Sequence, residues 1–189
     1  MYNKLLPQVI LFSSITMAEV LYVPAEFLTI QDAIEASESG DSVLVSPGLY
    51  QENINFEGKP ITVSSLYLIG GDSLLIGTTI IDGQQNGSVV TFASGEDSGS
   101  ILQGFTLQNG SGNDEDPDDN GSYYTYGGGI YCENSDPTIE DCIIRDNVAN
   151  EGGGGGIFCY GSSPTFDGCT ICGLSLIHNS EPTRLGAIA

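Results

Sequence analysis

Two stretches decide the reading of this chain: GGGIYCENSDPTIEDCII, from Gly127 to Ile144, and GGGIFCYGSSPTFDGCTI, from Gly154 to Ile171. The Gly triplet, an Ile, an aromatic residue, a Cys, a Pro-Thr pair and a second Cys recur in the same order. One step of 27 residues separates Ile130 from Ile157, Cys132 from Cys159 and Cys142 from Cys169. A fixed step of this size marks a repeat architecture, in which each unit covers the open face of its neighbour. Within each copy, Ile130 and Cys132 alternate around Tyr131. Apolar residues follow at Ile139, Cys142 and Ile144, and at Phe166, Cys169 and Ile171. These positions are expected to line a narrow interior, like stacked upon like.

The rest of the chain agrees with many short strands. Ser42–Ser46 leads into the turn signal Pro47-Gly48. Ile54 and Phe56 alternate within Glu52–Phe56. Ile61–Val63, Leu66–Ile69, Thr78–Ile81, Ser88–Phe92, Ile101-Leu102 and Phe105–Leu107 read as further strands, separated by Gly, Asn, Asp and Ser. A sandwich would show antiparallel hairpins without a strict repeat. The expected fold is therefore all-β, a parallel β-helix or solenoid with one coil per repeat. One helix is expected ahead of the strands. Thr29–Asp32 has the form of a capping box with Asp as its last member, Ile30, Ala33 and Ile34 follow helical spacing, and Gly40 closes the segment. Such a helix would cap the open end of the stack, where unpaired strand edges invite aggregation.

The 189 residues suffice for one domain with a sizeable core. They carry 25 acids against 4 Lys plus Arg, a formal net charge of −21. Such a chain repels nucleic acid and anionic membrane surfaces, so those partners are excluded. Residues 1–18 read as a secretory signal: Lys4, a mostly apolar run from Leu5 to Met17 interrupted by Pro7, and small residues around Ala18. The run is too short to span a bilayer. A secreted or bacterial cell-surface location and a monomeric mature chain beginning near Glu19 are expected. Residues 19–173 form the expected β-helix domain. Residues 174–189, LSLIHNSEPTRLGAIA, begin with eleven residues similar to a translated transposase-type sequencing adaptor, Asn179 standing where that frame reads isoleucine. A non-native tail is expected there, on a fragment from environmental DNA whose natural sequence continues past Gly173. His178 and Arg184 are set aside from site reasoning on that ground.

From Val23 to Ile171 the chain resembles bacterial secreted right-handed parallel β-helix repeat proteins of the pectin-lyase-like superfamily, which implies a right-handed solenoid. The carrying residues are FLTIQDAIEASESGDSVLVSPGLYQENINFEGKPITVSS (Phe27–Ser65), TIIDG (Thr79–Gly83), GFTLQNGSG (Gly104–Gly112) and the two GGGI copies. The Gly-Gly-Gly-Ile and Ile144-x-x-Asn147 pattern is also similar to repeats of polymorphic outer-membrane adhesins. The resemblance implies a cap and first coil at Phe27–Ser65. For activity it implies either a scaffold or adhesin, or a polysaccharide lyase or glycoside hydrolase. In that superfamily catalysis uses a basic residue or paired acids, often with calcium.

Candidate site residues follow. Cys132 should stack on Cys159 and Cys142 on Cys169, as a ladder of small buried residues, as cross-coil disulfides permitted by export, or as a metal site lacking any accompanying His. Asp116, Asp118 and Asn120, followed by Gly121, match the first half of a calcium loop, but Gly127 stands where an EF-hand needs a bidentate Glu. Either calcium with a carboxylate from another coil or a solvated loop fits. Tyr123, Tyr124 and Tyr126 beside those acids suit stacking against a sugar of a polysaccharide or cell-surface glycan. Asn109 and Asn147 end strand runs and are expected to form a ladder along a turn. Lys59 reads as a turn residue. Arg145 points outward beside Asp146 without an evident acid constellation, so no catalytic residue is assigned.

Overall fold

The computed structural model describes residues 17–115, 124–149, 151–176 and 187–188. The chain winds through successive coils. A lead-in holds β1 (Val20–Val23) and α1 (Ile30–Ala36), and a first coil holds β2 (Ser42–Val45), β3 (Gly48–Tyr50) and β4 (Ile54–Asn55). The next carries β5 (Thr62–Ser65), α2 (Tyr67–Gly70), α3 (Leu74–Thr78), β6 (Thr79–Asp82) and β7 (Val90–Phe92). Then come β8 (Ile101–Gln103), β9 (Thr106–Gln108), β10 (Asn113–Glu115), β11 (Tyr124–Tyr126) and β12 (Ile130–Glu133). The following coil has β13 (Thr138–Glu140), β14 (Ile143–Arg145), β15 (Val148–Ala149), β16 (Glu151–Gly153) and β17 (Ile157–Tyr160). The chain continues through β18 (Thr165–Asp167), β19 (Thr170–Cys172), β20 (Ser175–Leu176) and β21 (Ala187–Ile188).

Three sheets form the walls, ordered β1-β2-β5-β8-β13-β18 (sheet A), β3-β6-β9-β14-β19 (sheet B) and β4-β7-β12-β17-β21 (sheet C). Every pairing within them is parallel except β17 with β21. This is a parallel β-helix. Its interior is three stacks of in-register apolar residues. Val43, Val63, Leu102, Ile139 and Phe166 line sheet A. Tyr50, Ile81, Leu107, Ile144 and Ile171 line sheet B. Ile54, Val90, Ile130 and Ile157 line sheet C. Most of these are wholly buried. Phe56 and Phe92 fill the corner beside them with ring centroids 4.5 Å apart.

The capping helix forms where the spacing predicts it, and Thr29 Oγ1 accepts the Asp32 N–H at 3.0 Å. Two residues outside the helix complete its ends. The Glu52 carboxylate accepts the N–H groups of Ile30 and Gln31, both at 3.0 Å. Lys59 Nζ donates to the carbonyls of Ile34 and Glu35, both at 2.7 Å. The orphan groups of the helix and its dipole are thus matched by the first coil. Ile30, Ala33 and Ile34 are buried in the core. Lys59 closes a turn, as read from sequence, its N–H donating to the Phe56 carbonyl at 3.0 Å, and its side chain adds the role of helix cap.

Four expectations are corrected. Strand β1 precedes the helix, because Val20–Val23 pairs with β2 along its full length. The helix stops at Ala36, well before Gly40, because Ser37 is extended and its Oγ donates to the Ile34 carbonyl at 2.6 Å. Leu66–Ile69 is not a strand: after the Leu66 N–H donates to the Val45 carbonyl at 3.1 Å, the segment leaves the coil as α2 and α3, with Gly71 in the left-handed region. The step of 27 residues holds between the two copies and the strands flanking them, β15 with β20 included, and not in the earlier coils. Elsewhere Glu19 meets Asp41 after 22 residues, Asn53 meets Ser88 after 35 and Gln108 meets Arg145 after 37. Coils of different length share one register because the extra residues bulge out at the corners.

The Gly triplet is needed for close approach. Gly129 N–H and Ile130 N–H both donate to the Gly156 carbonyl at 2.8 Å. A Cβ on Gly129 would fall 2.5 Å from the Gly156 oxygen and 2.6 Å from Ile144 Cγ2. A Cβ on Gly128 would collide with the carbonyls of Val148 and Gly155. Consecutive coils are therefore in backbone contact at this corner, where any side chain would separate them. Among the described residues no helix is long and apolar enough to cross a membrane. The first sixteen residues of the expected signal lie outside the described residues, as does most of the expected tail.

Candidate functional site

The outward positions of sheet C carry aromatic rings. With Ile130 and Cys132 inward, period-2 alternation turns Tyr131 and Glu133 outward, and in the next coil Phe158 and Tyr160. Tyr131 and Phe158 stack with centroids 5.6 Å apart and planes 25° apart. Tyr126 tilts against Phe158 at 4.6 Å. Tyr131 Oη donates to the Glu133 carboxylate at 3.2 Å. Tyr131 is 3% exposed, Phe158 is half-buried and Tyr160 is 62% exposed.

Tyr126 reaches this face on an arm. Strand β10 pairs antiparallel with β11, and β11 pairs parallel with β16. Asn113 roots the arm: its Nδ2 donates to Thr91 Oγ1 at 3.1 Å, and its Oδ1 accepts the Ser88 N–H at 3.0 Å. The arm thus hangs over sheet C. Of the expected aromatic patch, Tyr124 and Tyr126 lie half-buried on β11, while Tyr123 lies outside the described residues. Asp116, Asp118 and Asn120 also lie outside the described residues. Among the described residues no group of three or more His, Cys, Asp or Glu is placed to hold a metal ion. Tyr131, Phe158 and Tyr160 were missed as site residues, although the alternation around Ile130 and Cys132 already turned them outward.

A second outward feature runs along sheet B. Asp82, Gln108 and Arg145 occupy successive coils in register. Asp82 Oδ2 accepts from Gln108 Nε2 at 2.9 Å and from Asn109 Nδ2 at 2.7 Å, and Oδ1 accepts the Gln84 N–H at 3.0 Å. Burial pushes this carboxyl up, but the three hydrogen bonds outweigh it and hold it below the ordinary range. Gln108 Oε1 accepts from Arg145 at 2.7 Å, and Arg145 pairs with Asp146 at 3.1 Å. Arg145 therefore has a partner network that the sequence did not disclose, built by residues about one coil apart.

Asn109 and Asn147 do not stack on one another. Gln108 pairs with Arg145, so Asn109 lies over Asp146 and Gly110 over Asn147. Asn109 and Asp146 both adopt positive φ, 57° and 54°, and Gly173 continues that column at 64°. Asn147 is wholly buried, its Oδ1 accepting the Gly110 N–H at 2.8 Å and its Nδ2 donating to the Leu107 carbonyl at 3.1 Å. It bolts one coil to the next. The four repeat cysteines are free thiols, with Cys132 directly over Cys159. The Thr170 N–H donates to the Cys142 carbonyl at 2.8 Å, which sets Cys142 over Cys169.

The stacked sheets define a parallel β-helix. Residues 24–187 match the family described as a protein of unknown function, DUF1565, and the chain belongs to that family. The matched span runs past Gly173 into the segment for which a non-native origin was expected. No curated protein sequence matches the chain. Among solved structures it is similar to a crystal structure of a pectin methylesterase mutant in complex with a hexasaccharide. The TM-score is 0.51 and the identity 17%, over 82% of this chain and 48% of that one. The likeness is one of fold, and the chain spans about half the length of that structure.

Proposed function

We propose that this chain is a secreted or cell-surface carbohydrate-binding β-helix, acting as a scaffold or adhesin, and that it meets its glycan on the outer face of sheet C. The carrying observation is the half-buried Tyr126–Phe158 pair beside exposed Tyr160, backed by buried Tyr131 and fenced by the β10–β11 arm. Aromatic faces with polar tips suit a sugar ring's apolar C–H face and its hydroxyls. Charge narrows the ligand. The two basic residues among the described ones are both committed, Lys59 to helix carbonyls and Arg145 to Asp146 and Gln108. With a net charge of −21, a polyuronate would be repelled, so the ligand is a neutral or amino-bearing glycan. Calcium held by the Asp116, Asp118 and Asn120 stretch would steady the arm.

Affinity electrophoresis through gels containing neutral, amino-bearing and uronate polysaccharides tests this reading. Retardation by the first two classes is expected. Retardation by the uronate alone, or by none, would contradict it. The Arg145–Gln108–Asp82 network supports a second reading, a polysaccharide lyase or hydrolase completed by further coils. Release of unsaturated or shortened products from pectin or alginate would favour it over the scaffold.

A further inference from the structure

We infer that Cys142 and Cys169 form a site of oxidative cross-linking that staples consecutive coils, whereas Cys132 and Cys159 remain thiols. Both pairs sit one coil apart, where strand spacing sets Cα atoms about 4.8 Å from each other, inside the range a disulfide accepts but near its short end. The difference lies in the freedom to close the remaining gap. Cys132 lies within β12, which is paired on both sides at that very residue, with Phe92 and with Cys159. Its spacing is fixed by two ladders. Cys142 and Cys169 instead precede β14 and β19, at a corner where Asp141 and Gly168 take positive φ of 50° and 63°. The corner is tied to the next coil by the Asp141 N–H to the Asp167 carbonyl and the Thr170 N–H to the Cys142 carbonyl, both at 2.8 Å, but neither cysteine lies within a strand, so each has more room to adjust than Cys132.

Access and nucleophilicity permit the reaction at either pair, since Cys159 and Cys169 are both half-buried over a buried partner and both lowered by it, so the corner geometry makes the choice. Cys169 is half-buried, so a small molecule can reach its sulfur, while Cys142 is buried behind it. The hydrogen bond from the Cys142 thiol brings the Cys169 thiol down to about 7. Burial, and the hydrogen bond to Cys169, push Cys142 up. A low-lying, reachable thiol is the attacking partner in exchange, and a protected one is the resolving partner. The Cys169 thiolate attacks one sulfur of a small-molecule disulfide and releases its first thiol. Cys142 then loses its proton and attacks the Cys169 sulfur, forming the Cys142–Cys169 bond and releasing the second thiol. Two protein thiols are oxidised, one disulfide is reduced to two thiols, and the two protons leave on those thiols.

The test uses the full chain, incubated folded with oxidised glutathione and mapped by mass spectrometry after alkylation. The first intramolecular link should join Cys142 to Cys169, with Cys132 and Cys159 still alkylated. The linked chain should melt about 6 °C higher, because closing a loop of this length constrains the unfolded chain. In Cys142→Ser the glutathione adduct should persist on Cys169. The inference is overturned if both cysteines stay alkylatable in the unsubstituted chain. A first link at another pair, or an adduct that persists on Cys169 with Cys142 present, overturns it equally.

Discussion

The two copies of the repeat share their landmark residues and the same register, yet they differ in burial. In the first copy Tyr131, Cys132, Ile139, Cys142 and Ile144 are all buried. In the second, Phe158, Cys159, Phe166, Cys169 and Ile171 are half-buried. The first copy is bonded on both sides, β13 to β8 and β18, and β14 to β9 and β19. Among the described residues β18 and β19 are bonded on one side only. Burial here is conferred by the neighbour rather than by the residue, as expected of a quasi-one-dimensional stack. The same alternation that makes the first copy structural leaves the second copy's Phe158 and Tyr160 facing outward.

Matched substitutions sharpen that contrast. Gly129→Ala drives a methyl into the backbone of the next coil and should cost more than about 4 kcal/mol. Gly156→Ala, at the equivalent position, meets first the flexible Leu174 side chain at 2.7 Å and should cost well under half as much. Urea unfolding of the two variants measures both. Ile144→Ala should cost about 3 kcal/mol and Ile171→Ala about half that, since only the first leaves an enclosed cavity. Equal losses would break the neighbour-burial explanation. Asn147→Ala strands a buried N–H and a buried carbonyl, for about 2 kcal/mol. Leu174 occupies the corresponding corner of the second copy, so Leu174→Ala should cost less by the same assay.

The smallest effect is a pH dependence. Asp82 is held below its unfolded value of about 3.9, so its contribution is present above that pH and lost as pH falls through the folded value. Asp82→Asn should therefore narrow the stability difference between neutral pH and pH 3. An unchanged acid profile would show that the Gln108 and Asn109 bonds do not favour the ionised form.

Much of this fold was legible because its code is local. The alternation around Tyr131, the capping box at Thr29 and the recurring Gly triplet each report a neighbour in sequence. Coil length was not, because it depends on where a corner bulges. Leu66–Ile69 looked like a strand because its apolar run carries no sign of which coil it would pair with. The roles of Glu52, Lys59, Arg145 and Asp82 were hidden for the same reason, their partners lying on other coils or elements. Of the candidate site, Tyr124 and Tyr126 were legible from their clustering. The outward placing of Phe158 was legible from the same alternation, but its meeting with Tyr126 was not, because the β10–β11 arm brings that ring from elsewhere in the chain.

The most direct test of the aromatic face is calorimetric titration of Phe158→Ala with the hexasaccharide of whichever neutral or amino-bearing glycan retards the unsubstituted chain. Loss of one stacked ring should weaken binding about tenfold, while Arg145→Ala, on sheet B, should bind within about twofold of the unsubstituted chain. Unchanged affinity in Phe158→Ala, or an equal loss in Arg145→Ala, would contradict a glycan site on sheet C.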